Sequence, residues 1–99
     1  MKKQSPDSMY HLLFYKTIAN YIEKRAPYRR EHLELAQKAQ QDGTLIMAGA
    51  LNNPSDEAVL VFKGSAKVAE DFARADPYVK NGLISDWYVR EWTVVIGNE

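Results

Sequence analysis

Ninety-nine residues suffice for one hydrophobic core and not for two, because a chain of this size buries only about two-thirds of its unfolded surface. Apolar residues make up 45% and charged residues 26%, the balance of a folded soluble domain rather than of a disordered chain. Thirteen basic against thirteen acidic side chains leave no net charge to favour a nucleic-acid backbone or an anionic membrane. The absence of cysteine excludes disulfides, zinc–thiolate sites and a thiol nucleophile.

Residues Met1 to Ser8 carry Lys2 and Lys3, but Gln4, Ser5, Pro6 and Asp7 follow where a signal peptide would have an apolar core. They read as a short flexible tail on a single domain spanning 1–99, with the ordered body at about 9–97. No apolar stretch approaches the roughly 20 residues needed to span a bilayer. A cytoplasmic protein with no nucleic-acid or membrane partner is the expectation.

Tyr10 to Thr17 is short and rich in aromatic and branched residues, which predicts a first strand. Ile18 to Ala26 is mixed, and Pro27 opens a helix that runs to about Gln41, proline being tolerated where an N–H would have no partner. On a helical wheel Tyr28, His32, Leu35 and Ala39 fall within about 60° of one another, with Ala36 beside them, so one face is buried and His32 lies in it. Asp42 and Gly43 close this helix.

Thr44 to Leu51 and Ala58 to Lys63 read as a hairpin around the turn residues 52–57. Both faces of these strands are apolar: Leu45, Met47 and Leu51 oppose Ile46, Ala48 and Ala50, and Leu60 and Phe62 oppose Val59 and Val61. Ser65 is a candidate N-cap for a helix from Ala66 to Ala75, in which Val68, Ala69, Phe72 and Ala75 recur at helical spacing. Pro77 stops it by pushing Asp76 out of the helical region. Tyr78 to Ser85 then reads as a loop and Trp87 to Ile96 as the last strand, whose two tryptophans point to opposite faces.

The order βαββαβ is that of the ferredoxin-like α+β fold, a four-stranded antiparallel sheet with both helices on one face. The helix-free apolar face must then meet something else, and a second copy of the same sheet is the commonest solution, so a homodimer is expected.

Strand directions bring His32, near the start of one helix, and Asp76, at the end of the other, to the same end of the sheet. A carboxylate on one imidazole nitrogen fixes the tautomer and leaves the other nitrogen free as acid or base. Taken alone, a histidine on an apolar helix face is more often a core residue, and Asp before Pro more often a helix stop. Arg29 sits three residues before His32 and could hold an anionic ligand, or simply be solvated. Tyr78 and Lys80 could orient a ligand at the same end or only pack. His11 has no partner nearby in sequence and reads as structural or exposed. Two scattered histidines make no metal-ligand spacing, and no phosphate-binding glycine loop or serine-nucleophile motif is present; neither metal nor cofactor is expected.

Arg29, His32 and Leu33 in RREHL, Gly43, Leu45 and Ala48-Gly49 in DGTLIMAGAL, Asp76-Pro77-Tyr78 with Gly82-Leu83 in ADPYVKNGL, and Trp92 together resemble the pattern of the YciI-like (YCII) family over nearly the whole chain. One departure is Ala50, where members often have proline; it bears on a turn and not on the chemistry. The resemblance implies a dimeric α+β barrel of ferredoxin-like chains with an active-site His and Asp, which fall on His32 and Asp76. It also implies kinship with muconolactone isomerases, a dehydrochlorinase of chlorinated hydroxyquinols and cofactor-free monooxygenases. Two functions stay open at this point. One is an acid–base enzyme of isomerase, lyase or hydrolase type acting on a small aromatic or lactone-like metabolite, with Arg29 and Tyr78 binding it. The other is a non-catalytic module binding a small ligand or a protein partner through the same cleft.

Overall fold

The computed structural model describes residues 9–97; the tail expected at 1–8 lies outside them. Strand β1, Tyr10–Thr17, runs up the centre of the sheet. It is followed by a single helical turn, α1 (Tyr21–Lys24), a 3₁₀ turn (Ala26–Tyr28) and the long helix α2 (Arg29–Gln41). Strands β2 (Leu45–Ala50) and β3 (Glu57–Lys63) form the hairpin, and α3 (Ala66–Ala75), the short α4 (Pro77–Lys80) and β4 (Ile84–Trp92) complete the chain. The sheet order is β2-β3-β1-β4 with every neighbour antiparallel, which is the ferredoxin-like arrangement.

Alternation along the central strands separates the two faces. His11, Leu13 and Tyr15 of β1 and Ala58, Leu60 and Phe62 of β3 point toward the helices and are buried, packing with Ala69, Phe72 and Ala73 of α3. The inner face of α2, made by His32, Leu35, Ala36 and Ala39 with Tyr28 just before its first turn, is only half-buried. It lies over the edge strand β2 and leaves a gap beneath it. His11 is structural, its Nδ1 donating to the Gly64 carbonyl at 2.8 Å.

Four local features differ from the sequence-based expectation. Pro27 sits in the 3₁₀ turn and α2 itself begins at Arg29, so the mixed segment holds two tight turns rather than plain coil. The expected loop after Asp76 starts with a turn of helix, because the Asp76 side chain accepts the Tyr78 N–H and Pro77 occupies a first-turn position that needs no donor.

The last strand is displaced toward the N-terminus: Ile84 already pairs with Thr17, and Trp92 pairs with Tyr10 at the start of β1. Beyond Trp92 the neighbouring strand ends, so Thr93 to Ile96 leave the sheet despite their strand-forming side chains. Finally, β2 bulges at Ile46, with Leu45 opposite Phe62 and Met47 opposite Val61. The extra residue puts Leu45 in the core and Met47, 66% exposed, on the other face, where simple alternation would place them together.

Candidate functional site

The end of α3 overhangs the upper end of β1, and there Asp76 is wholly buried. Pro77 disfavours a helical conformation at Asp76, whose backbone is extended (φ −70°, ψ 123°), and its carboxylate turns inward. It accepts three hydrogen bonds. The Tyr15 hydroxyl donates to Oδ2 at 2.7 Å, the Tyr78 backbone N–H to Oδ1 at 3.0 Å, and His32 Nδ1 to Oδ1 at 2.9 Å. These donors offset the desolvation that an isolated buried carboxylate would suffer.

Because a carboxylate only accepts, the proton of the His32–Asp76 bond belongs to Nδ1, and a neutral ring then presents a lone pair at Nε2. Nε2 has no protein partner among the described residues. The imidazole is stacked on the Tyr78 ring, centroids 3.8 Å apart and planes 6° from parallel, with Phe72 edge-on at 6.5 Å. Ring plane and tautomer are therefore fixed by different neighbours.

Two tyrosines in the site stay protonated over the physiological range. Burial, reinforced by the adjacent Asp76 carboxylate, holds the Tyr15 hydroxyl far above the usual phenol range, which keeps it a donor to Asp76. Burial also raises Tyr78, against the opposing pull of Arg29 and Arg25. Replacing Tyr15 with Phe removes one donor from a buried carboxylate and is expected to destabilise the chain by about 2 kcal/mol. Urea unfolding with an unchanged denaturant slope would measure this, and an unaltered midpoint would show the bond to be without weight.

His32 and Tyr78 open onto a cavity of about 420 Å³ lying between α2 and the bulged strand β2. This volume is within the range of small-ligand sites. Its apolar wall includes Leu33, Leu45, Ile46 and Leu60, and its polar groups include Tyr15, Arg25, Arg29, Gln37 and Gln40. Of the four residues singled out from sequence, His32, Arg29 and Tyr78 line the cavity, and Asp76 stands behind His32. Tyr15 and Arg25 were missed. The aromatic run of β1 gives no sign that one hydroxyl meets a carboxylate 61 residues away, and Arg25 lies in a segment without periodicity. Among the described residues no group of three or more His, Cys, Asp or Glu could hold a metal ion, and no helix is long and apolar enough to cross a membrane.

The YCII-related domain pattern matches residues 9–93, which takes in every element from β1 to β4. The chain belongs to the YCII-related domain family. An uncharacterized protein from Haemophilus influenzae is 33% identical over 100 residues, covering 88% of this chain and 99% of that one. Among solved structures, the YCII chain is similar to a 5-chloro-2-hydroxyhydroquinone dehydrochlorinase from Burkholderia phenoliruptrix solved with 2,5-dihydroxybenzoquinone. The TM-score is 0.72 at 18% identity, over 86% of this chain and 94% of the other. A dimeric ferredoxin-like protein from an uncultured marine organism aligns with a TM-score of 0.54 at 14% identity, over 90% and 89% of the two chains. At such identities the likeness is one of fold.

Proposed function

We propose that this YCII protein is a small-molecule enzyme in which His32 moves a proton to or from a ligand through Nε2. Asp76 fixes the tautomer and stabilises the imidazolium that forms. The observation that carries this reading is the 2.9 Å bond from Nδ1 to a wholly buried carboxylate, with the second nitrogen unpartnered beside a cavity. Arg29 and Tyr78 bind the ligand. The chemistry is of isomerase, lyase or hydrolase type on a small aromatic or lactone-like metabolite. It draws on no cofactor, and the protein works in the cytoplasm. The dehydrochlorinase neighbour, which holds a planar quinone, supports both the reaction class and the ligand shape.

The working unit is a homodimer formed through the helix-free face. Cross-strand register arranges that face in rows: Glu57, Lys16 and Asp86 at the upper end, then Val59, Phe14 and Tyr88, then Val61, Leu12 and Arg90, and Lys63, Tyr10 and Trp92 at the lower end. Phe14 and Tyr88 stack at 5.0 Å, and Met47, Tyr88 and Trp92 remain exposed large apolar side chains. A two-fold axis lying across the strands sets the acidic end of one copy against the Lys63 and Arg90 end of the other. The dimeric ferredoxin-like neighbour supports this association, which would bury roughly 1,200 Å² or more.

Unbiased metabolite profiling with wild type and His32→Ala side by side tests the enzymatic reading. At least one metabolite should be consumed by the wild type and spared by the variant. Ligand binding without turnover of any metabolite pool would overturn the reading in favour of a non-catalytic module.

A further inference from the structure

The cavity has cationic groups and no anionic ones. Arg25 and Arg29 both line it, and none of its lining residues is Asp or Glu. The ion pairs among the described residues join Arg30 to Glu34, Lys67 and Arg74 to Asp71, and His32 to Asp76; Arg25 and Arg29 take part in none of them. Asp76 does not neutralise them, since it is wholly buried behind His32 and already accepts from Tyr15, His32 and Tyr78.

A third group at the same place is unsatisfied. Tyr78 is 1% exposed, yet its hydroxyl oxygen is a buried polar atom with no well-formed hydrogen bond among the described residues. Such an atom is disfavoured unless something fills it. The aromatic contacts tie these groups together: the Arg25 guanidinium lies 5.1 Å from the centre of the Tyr21 ring, Tyr21 meets Tyr78 edge-on at 5.8 Å, and Tyr78 stacks on His32. The Arg29 guanidinium is close enough to act on the Tyr78 hydroxyl as a hydrogen-bond donor, short of a well-formed bond, and Arg25 acts on it through its charge. Two forked donors and one hydroxyl, in a cavity with no acidic lining residue, match the planar, two-oxygen acceptor of a carboxylate.

We propose that Arg25, Arg29 and the Tyr78 hydroxyl form a carboxylate subsite, and that the ligand is a small organic acid whose apolar body lies against Leu45, Ile46 and Leu60. This deepens the reading given above by naming the substrate class. Arg25 becomes a specificity-determining residue. The Arg29 guanidinium adjusts to share the acid with Tyr78, and the apolar wall selects a flat or branched body over a bare carboxylate such as acetate.

Titration followed by amide NMR tests the subsite with four acids, acetate, benzoate, phenylacetate and hexanoate, each beside its uncharged amide. At least one of the three larger acids should bind in the millimolar range or tighter and shift the amides of Arg29, His32 and Tyr78. Its amide should bind at least about tenfold more weakly. Arg25→Met and Arg29→Met, both substitutions at surface-reaching side chains, should each weaken the acid by more than the amide, and the double variant should bind the two alike. The subsite is overturned if no acid binds at about 20 mM, if acid and amide bind equally to the wild type, or if discrimination survives the double substitution. Acid binding without turnover of any acid would fell the enzymatic reading and leave the carboxylate subsite standing.

Discussion

Asp76→Asn is expected to lower turnover at the His32 site by about a hundredfold or more, the range over which positioned acid–base groups act, while the chain stays folded. The amide can keep much of the network: its oxygen replaces Oδ1 as acceptor for the Tyr78 N–H and His32 Nδ1, and its NH₂ takes the place of Oδ2 and donates to Tyr15. What it removes is the charge that stabilises the imidazolium. Activity toward the substrate found by profiling, compared at matched folded fractions, checks this. An Asn variant working at the wild-type rate would reduce Asp76 to a helix stop and cap. Asp76→Ala serves as the structural contrast. It leaves three donors, two of them buried, without an acceptor and should destabilise the fold by about 3–5 kcal/mol.

The second large effect is expected at the open sheet face. Val61 stands at the middle of this face, between Leu12 and Met47 in the cross-strand register. In an isolated protomer Val61→Asp keeps its carboxylate within reach of water, so the fold persists. Between two stacked sheets the same carboxylate is desolvated without a partner, which should weaken association by about a hundredfold or more. Sedimentation velocity at tens of micromolar should show the wild type at twice the 11.3 kDa protomer mass and the variant as protomer, with unchanged circular dichroism. A wild-type protomer that sediments alone, or a variant that associates as well as wild type, would remove the sheet face as the interface.

The fold was legible where the determinants are local. Alternation in β1 and β3, helical spacing in α3, Gly43 after α2 in the left-handed region (φ +84°), and Pro77 after Asp76 each act within a few residues. The features that escaped are set by partners distant in sequence. The end of β4 is fixed by where β1 begins, not by the valines and isoleucine that follow Trp92. The bulge at Ile46 follows from the register with β3 and separates Leu45, inside, from Met47, outside.

The site divides in the same way. His32, Arg29, Asp76 and Tyr78 stand out because helix spacing and one proline bring them to one end of the sheet and the family resemblance marks the His and Asp. Tyr15 could not, since its role begins only when the end of α3 comes to rest above β1. Arg25 reaches the cavity through two consecutive tight turns that carry no hydrophobic period.

Asp76 ends one helix, caps the next and holds His32, and these tasks differ in what a lineage can discard. The imidazole, 13% exposed, can be replaced without stranding a buried charge, because Tyr15 and the Tyr78 backbone still bind the carboxylate. The aspartate cannot be dropped so easily. In a comparison of homologous sequences its presence therefore testifies to shared ancestry of the architecture, whereas the histidine, on the acid–base reading proposed above, testifies to a living reaction. A homologue that retains the first and has exchanged the second is best sought among retired enzymes that have kept their shape for binding.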